Sequence, residues 1–410
     1  MICLFRFFRQ SQIFPDTPRA MKHIIHILGC ILMITLGGEI LSAAEKEVVV
    51  VNGKESSFLS DALARLGIKY KLTNDIDAKN LPRDGIIVFS GKDFALPLNK
   101  ADGVLDFLKE GGSVLAIGGG AKWLIETGNV DAVGYYPSGT TIFMSKFDGY
   151  HPLTFGYPSD IGGEKWNYGV PNLLRATGGP LIKPGPRAVS VLLAGGPFSH
   201  MVYQRIGKGI ALLIGPDPQG GNQFLTLNEA TPRKGDKLGT DRLLSNAIKW
   251  LQEPVCNLVP NPGFEEQTSA DPQRFHWELI TQNGGKARLQ RSEAPQGSVF
   301  VLLEKPEANA FAKLAIHLPI LVEPEREYRF SCLYRCQNDG SLLFRQIRTL
   351  EDPYNKAEVN QNKLPASRAW QKYQVDLKIP PGIRYLGFIL QPTNSGELGI
   401  DDIHLNPIER

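Results

Sequence analysis

The stretch Gly111-Gly112-Ser113-Val114-Leu115-Ala116-Ile117-Gly118-Gly119-Gly120-Ala121-Lys122-Trp123-Leu124 decides how the first half of this chain is read. Ser113 to Ile117 is an apolar run of strand length. A glycine turn follows, and a helix is predicted from Ala121. A strand that passes through a tight turn into a helix aims that turn at the carboxyl edge of a parallel sheet, where open α/β sheets carry their sites. In enzymes with a nucleophile elbow the turn holds a Ser or Cys. Here it holds Gly118.

The flanking sequence has the same texture. Val48 to Val51 is a continuous β-branched run, as in a strand buried on both faces. Ser57 to Leu66 carries Phe58, Leu59, Ala62, Leu63 and Leu66 at helical spacing, ended by Gly67. Lys69 to Leu72 and Gly85 to Phe89 read as strands. Leu98 to Glu110 reads as a helix with Leu98, Ala101, Leu105 and Leu108 on one stripe. Short apolar strands alternating with helices predict a doubly wound parallel sheet, flavodoxin-like in class. After Asn129 the pattern loosens. Thr141 to Met144, Ala188 to Ala194, Met201 to Arg205 and Gly209 to Ile214 are further strand candidates for the same sheet. Asp241 to Leu251 is a helix with Thr240 as N-cap. Glu253-Pro254 stops it.

From Asn257 the texture changes to short alternating strands between Gly, Pro and Asn turns, without a strong helix. Such spacing predicts a β-sandwich. The expected organisation is a leader region over 1–44, with Met21 an alternative start. An α/β domain follows over 45–252, a linker over 253–256, and a jelly-roll sandwich over 257–410. There is no internal repeat and no low-complexity tract.

Composition narrows the function classes. The chain has 410 residues, 42% hydrophobic and 21% charged, with a net charge of +3. No Lys/Arg run stands out, so a nucleic-acid footprint is not expected. Met21-Lys22-His23, the apolar run Ile24 to Leu36 and the small residues Ser42-Ala43-Ala44 have the form of a secretory signal. The run is shorter than the ~20 residues of a membrane span. The expected location is therefore secreted, periplasmic or at the cell surface, with no membrane span after cleavage. Cys256, Cys332 and Cys336 lie in the mature part. Cys332 and Cys336 share a strand face with Tyr328, Phe330 and Tyr334. Four residues along a strand span roughly 13 Å, beyond the ~7 Å that a disulfide tolerates between Cα atoms. Both read as small buried hydrophobes, and pairing of Cys256 with either is left open.

The chain contains no Gly-x-Ser-x-Gly, no His-Glu-x-x-His and no Walker loop. His151 and His200 stand alone. Asp217 with Glu164 or Asp160 would be a carboxylate pair for acid–base chemistry.

Gly111, Gly112, Ile117, Gly120 and Ala121 resemble the elbow of the class I glutamine amidotransferase-like fold, in the branch found at the N-terminus of biotin-protein-ligase-like proteins. There the pattern is roughly Gly-Gly-x-x-x-Gly-Ile-Cys-x-Gly-Ala, which places Gly118 at the cysteine. Gly207 to Gln219 is similar to that family's late strand, which ends in His-Pro-Glu; Asp217 and Gln219 stand at the base and orienter. The resemblance covers about 48–251 and implies the fold without the chemistry. Glycine has no nucleophile, Asp217 cannot switch protonation near neutral pH as His does, and Gln219 is neutral.

Asn257 to Glu266, then Trp277, with Gly396 to Leu405 at the far end, is similar to the first and last strands of a carbohydrate-binding module. The type is the cellulose- and xylan-binding one, a galactose-binding-like jelly roll. First and last strands of a jelly roll can lie close, so Glu265 with Asp401 or Asp402 would share a Ca²⁺, a hard cation that takes oxygen ligands. The resemblance also implies a structural calcium. No organic cofactor is expected. Sugar binding needs exposed rings beside polar groups, and the candidates are Trp277, Tyr334, Tyr354, Trp370 and Tyr385. The expected function is non-catalytic binding of a polysaccharide or cell-surface glycan, with a protein partner open to the α/β half. The alternatives are a glycan hydrolase using carboxylates near Gly118 and Asp217, and a structural protein-interaction module.

Overall fold

A computed structural model describes residues 46–52, 57–76, 81–91, 94–136, 145–147, 149–155, 169–170, 179–216, 240–254, 256–265, 276–291, 293–348 and 358–408. The leader region, Thr141 to Met144, Tyr354, and the carboxylate and amide candidates Asp160, Glu164, Asp217 and Gln219 lie outside them. No described helix is long and apolar enough to cross a membrane.

The first sheet begins with β1 (Val48–Asn52), β2 (Lys71–Thr73), β3 (Ile86–Ser90) and β4 (Ser113–Ile117). These pair in parallel, β2-β1-β3-β4, and β4 takes β11 (Gly209–Ile214) as its next parallel neighbour. Every residue of β3, β4 and β11 is buried, as expected for strands covered on both faces. Helices supply the cover. α1 (Ser57–Arg65) and α4 (Thr240–Gln252) pack through Leu59, Leu63, Leu243, Leu244 and Ile248 on one face. α2 (Ala101–Glu110) and α3 (Gly119–Glu126) pack through Val104, Leu108, Trp123 and Leu124 on the other.

The sheet is mixed rather than parallel throughout. Beyond β11 it continues with β10 (Phe198–Ile206), β9 (Val189–Gly195), β6 (Ser145–Phe147) and β7 (Gly169–Val170), each antiparallel to the last. β8 (Leu181–Pro184) pairs with β10 and with β5 (Ala132–Tyr135). The cause is local. Gly207-Lys208 joins β10 to β11 as a two-residue hairpin, with Gly207 at φ 61°. A link that short leaves no room for the crossover that parallel pairing requires.

The second half is a sandwich of two antiparallel sheets. One is ordered β12-β15-β21-β18-β19, with β16 (Ile320–Leu321) added on β21. Its strands are β12 (Trp277–Gln282), β15 (Phe311–Ile316), β21 (Tyr385–Pro392), β18 (Gly340–Ile347) and β19 (Glu358–Leu364). The other is ordered β13-β14-β22-β17-β20, from β13 (Lys286–Gln290), β14 (Phe300–Lys305), β22 (Gly396–Pro407), β17 (Glu327–Cys336) and β20 (Ser367–Lys378). Their inner faces meet in one core containing Phe264, Trp277, Phe330, Phe344 and Phe388. Cys332 and Cys336 lie in that core, and they and Cys256 are free thiols.

The halves share a core. Leu321, Ile347 and Tyr385 of the sandwich belong to the same apolar cluster as Tyr203 of β10 and Trp250 of α4. Tyr150 adds a backbone bridge: its N–H donates to the Pro319 carbonyl at 3.0 Å, and Leu321 N–H donates to its carbonyl at 2.9 Å. A carboxylate locks the seam. Arg205 Nε of β10 donates to both oxygens of Glu323, at 2.9 and 3.0 Å. Arg326 Nη1 donates to Glu323 Oε1 at 2.7 Å.

Candidate functional site

Gly118 sits at φ 60°, ψ −117°, between β4 and α3. An L-residue is strained at that φ, and glycine is not. The turn is pinned at the carboxyl edge: Gly118 N–H donates to Ile214 O at 2.9 Å, and Gly119 N–H to Gly91 O at 3.1 Å. Gly118 is itself buried. A Cβ on Gly179 would lie 1.8 Å from Gly215 O and 2.9 Å from Gly118 Cα. Backbone therefore packs on backbone above the turn, with no side chain between. Gly179→Ala is expected to destabilise the protein by ~2–3 kcal/mol, because the colliding atoms are main chain and cannot rotate away. Chemical denaturation reads the change; an unaltered midpoint would contradict the close approach.

His151, in the loop before α4's contact segment, is buried against Tyr203 and Trp250, with ring centroids 5.2 and 4.9 Å away. Its Nδ1 accepts from Leu153 N–H at 3.2 Å. Burial, reinforced by the Arg205 charge, pushes its pKa down to about 3. His200 is pushed down to about 4 by burial. These histidines are neutral packing groups in the folded chain.

Of the carboxylates expected to share a cation, two approach each other. Glu265 is cupped by backbone: Ser298 N–H and Val299 N–H donate to its Oε1 at 2.6 and 2.9 Å, and Ser298 Oγ donates to Oε2 at 2.6 Å. Asp401 is 0% exposed. Its oxygens accept from Gln296 N–H at 3.1 Å and Asp402 N–H at 2.8 Å. Burial, then the Asp402 and Glu265 charges, push its carboxyl up to about 7. Asp402 turns away, its Oδ1 2.7 Å from His404 Nε2. Among the described residues no three His, Cys, Asp or Glu side chains gather as a metal set.

The aromatic candidates are mostly core. Trp277, Tyr334 and Tyr385 are 3%, 5% and 5% exposed, so their faces meet protein and not solvent. Trp277 packs on Phe264 and Phe388, and Tyr385 lies in the seam. Their strand parity is the reason: Trp277 and Tyr334 point to the inner layer, and Tyr385 points at the α/β half. Trp370 is half-buried on the outer face of the second sheet, where the Arg335 guanidinium lies 5.2 Å from its ring and 5.0 Å from Phe300.

The residues best placed to meet a ligand lie elsewhere, on the outer face of the β12-β15-β21-β18-β19 sheet. Register fixes its rows. Ser341 stands opposite Gln391 and Lys363, and Leu343 opposite Ile389 and Gln361. Ile389 stands opposite Ala315, and Arg345 opposite Gly387 and Val359. The floor is low: Ala315, Gly387, Ile389 and Ser341 are all buried. A Cβ on Gly387 would meet only Arg345 Cβ, at 3.7 Å, so space lies above it. Ser341 Oγ is buried without a hydrogen-bond partner among the described residues. Longer side chains rise around the floor: Lys313, Arg345, Gln391 and Gln361, with Glu278 opposite Ala315. Burial and the Arg345 charge lower the Lys313 pKa, and Glu278 opposes them. The Tyr385–Ile347 end of the face is closed by the α/β half, where Gly149 meets Tyr385. The available signal was the alternation Phe311-Ala312-Lys313-Leu314, which puts a charge on the face away from the core.

These features define a class: an α/β half fused to an antiparallel sandwich with one open, polar sheet face. No known protein family matches the chain, and no curated protein matches it. Among solved structures it is similar to the enzymatically active domain of tailspike protein 4 from bacteriophage CBA120. That likeness has 15% identity and a TM-score of 0.32, over 37% of this chain and 21% of that one. The chain thus matches about a fifth of the tailspike's length. It is similar to TmCBM61 in complex with beta-1,4-galactotriose, at 16% identity and TM-score 0.28, over 37% of this chain and 99% of that one. It is also similar to the CBM22-1 xylan-binding domain of Paenibacillus barcinonensis Xyn10C, at 15% identity and TM-score 0.26, over 36% and 92%. Each likeness takes in a little over a third of this chain.

Proposed function

We propose that this is an exported carbohydrate-binding protein whose ligand lies on the outer face of the β12-β15-β21-β18-β19 sheet. The observation that carries the reading is the trough over Ala315, Gly387 and Ile389. A glycan chain is long and shallow; it needs an apolar floor for its C–H faces and fixed polar groups for its hydroxyls. Half-buried Leu343, over the small residues Ala315 and Gly387, supplies the first, and Gln391 and Gln361 the second. The sequence resemblance of Asn257–Glu266 and Gly396–Leu405 to carbohydrate-binding modules supports the same reading. Gly387→Val is the test, because a Cβ there meets only Arg345 Cβ, at 3.7 Å, and the larger side chain raises the floor of the face. The expected result is a loss of glycan affinity of about tenfold, ~1.4 kcal/mol, at an unchanged melting temperature. Undiminished binding would place the ligand elsewhere.

The α/β half acts in this reading as a non-catalytic support descended from an amidotransferase-like domain. The strand order β2-β1-β3-β4-β11 supports that descent, since it follows the 2-1-3-4-5 order of flavodoxin-like sheets. The buried, side-chain-free turn at Gly118 supports the loss of chemistry.

A structural Ca²⁺ at Glu265 and Asp401 belongs to the same proposal. Two carboxylates, one wholly buried and neither with a cationic partner at salt-bridge distance among the described residues, suit a hard cation. At tenfold excess over its dissociation constant, Ca²⁺ is expected to stabilise the protein by ~1.4 kcal/mol. Asp401→Asn should abolish the effect. No thermal shift with Ca²⁺ would remove the ion from the proposal.

A further inference from the structure

We propose that the open edge of β5 is a self-pairing surface, through which two copies of this chain form a two-fold dimer. β5 pairs with β8 on one side, from Ala132 opposite Pro184 to Tyr135 opposite Leu181. Among the described residues no strand pairs on its other side. An open strand edge is a template for another chain, and proteins blunt such edges with charge, proline or a bulge. The edges β2, β12, β13, β19 and β20 each carry at least one charged residue. Ala132-Val133-Gly134-Tyr135 carries no charge and no proline. Its apolar side chains also lie in the open. Val133, Tyr135 and the next residue, Tyr136, are 64%, 49% and 48% exposed, and they are three of the six large hydrophobic side chains left exposed among the described residues.

The register makes this edge complementary to itself. Gly185 N–H donates to Asp131 O at 2.7 Å, next to the first pair of the β5–β8 ladder. Antiparallel ladders alternate, so Val133 and Tyr135 turn their N–H and C=O groups toward β8, and Gly134 turns its own toward the open edge. A two-fold axis at Gly134 lets the two copies of that glycine exchange both hydrogen bonds, with no side chain to obstruct the approach. Val133 of one copy then stands opposite Tyr135 of the other, twice over. That is a β-branched residue against an aromatic, in the closer of the two antiparallel pair types. Tyr136 falls opposite the small Ala132. Tyr135 is already held in place, stacked on Phe198 at 5.0 Å and 28°. One patch that pairs with its own copy is the requirement of an isologous two-fold interface.

The surface is small. The three side chains expose roughly 300 Å² per copy, counting ~200 Å² for a whole tyrosine. Two copies bury about 600 Å² of side chain, below the ~1,200 Å² of a standard stable interface, so the dimer is weak and concentration-dependent. Two copies joined this way carry two of the sandwich faces proposed above to bind glycan, and one particle can then hold one polymer twice. The dimer itself does not depend on that reading.

Sedimentation velocity of the mature protein, from about 1 µM to about 500 µM, is expected to show a reversible monomer–dimer equilibrium. Val133→Lys with Tyr135→Lys sets lysine opposite lysine across the axis and should weaken association at least about tenfold. Val133→Lys with Tyr135→Glu sets lysine opposite glutamate in the same register. It should associate at least about tenfold more tightly than the double-lysine variant. Circular dichroism verifies the fold of both. A monomer at every concentration would overturn the proposal and leave the edge to a different partner. A double-lysine variant that dimerises as tightly as the parent would overturn it too, since the contact would then lie elsewhere. Equal association of the two double variants would overturn the two-fold register.

Discussion

Taking the protein from pH 7 to pH 5 is expected to cost about 3 kcal/mol of stability, and buried histidines are the cause. His151 and His276 are pushed down to about 3 and about 4, and His200 to about 4, each chiefly by burial. In the unfolded chain each titrates near ~6.5. Below that pH the unfolded state binds protons that the folded state refuses, so stability is complete above pH 6.5 and falls as the pH drops toward 4. Each histidine accounts for ~2 kcal/mol between pH 7 and 5. Asp401 works in the opposite sense. Its carboxyl, pushed up to about 7, is destabilising when ionised, and protonation relieves it over the same interval. The net loss is therefore nearer half the histidine sum. Denaturant titrations at pH 7, 6 and 5 read the slope. His151→Gln and His200→Gln should each flatten it; a slope untouched by either would refute the assignment.

The second large effect is at the seam. Glu323 accepts from Arg205 and Arg326 and lies 3.4 Å from Tyr203 Oη, and its N–H donates to Tyr328 Oη at 2.8 Å. The side chains of Arg205, Arg326 and Glu323 are 21%, 14% and 14% exposed. Glu323→Ala leaves two guanidiniums face to face with their charge uncompensated, which costs ~3–5 kcal/mol when a buried pair is broken from one side. Glu323→Gln keeps the shape and an acceptor but loses the charge, and should fall between. Because the seam also covers the Tyr385–Ile347 end of the outer sheet face, both variants should loosen the two halves together. Hydrogen exchange should rise in β10 and in β16 at once. A rise confined to one of them would show that the halves are held by their apolar contacts alone.

Much of the α/β half could be read from local patterns. Ser113–Ile117 is a strand, and Ala101–Glu110 and Thr240–Gln252 are helices: a five-residue apolar run bounded by glycines fits a buried strand, and apolar residues at helical spacing over ten or more positions fit a helix. Even here α3 begins at Gly119 and not at Ala121, since the turn's glycines take helical backbone. The antiparallel half was less legible. The runs around Val189–Gly195 and Phe198–Ile206 were recognisable as strands, but strand direction depends on the connecting links, not on the strands themselves.

The binding candidates divide in the same way. Alternation in Trp277–Gln282 or Glu327–Cys336 separates two faces without saying which is covered. Trp277 and Tyr334 were thus chemically sound sugar contacts that the fold uses as core. Tyr385 does point outward from its own sheet, but the α/β half sits on it. Lys313 and Arg345 drew no notice in the sequence because they are 32 positions apart, and a lone charge on a strand reads as ordinary surface.

The sequence by itself determined the local elements and the glycine, Gly118, that stands at the tip of a strand-to-helix turn. Those depend on periodicity and on side-chain chemistry, which are written residue by residue. Only the tertiary structure decided that Gly118 is buried under Gly179, that Asp401 is sealed beside Glu265, and that Leu343 and Arg345 share one sheet face with Ile389 and Gly387. Burial and charge proximity belong to pairs of residues, and register and docking alone bring those pairs together.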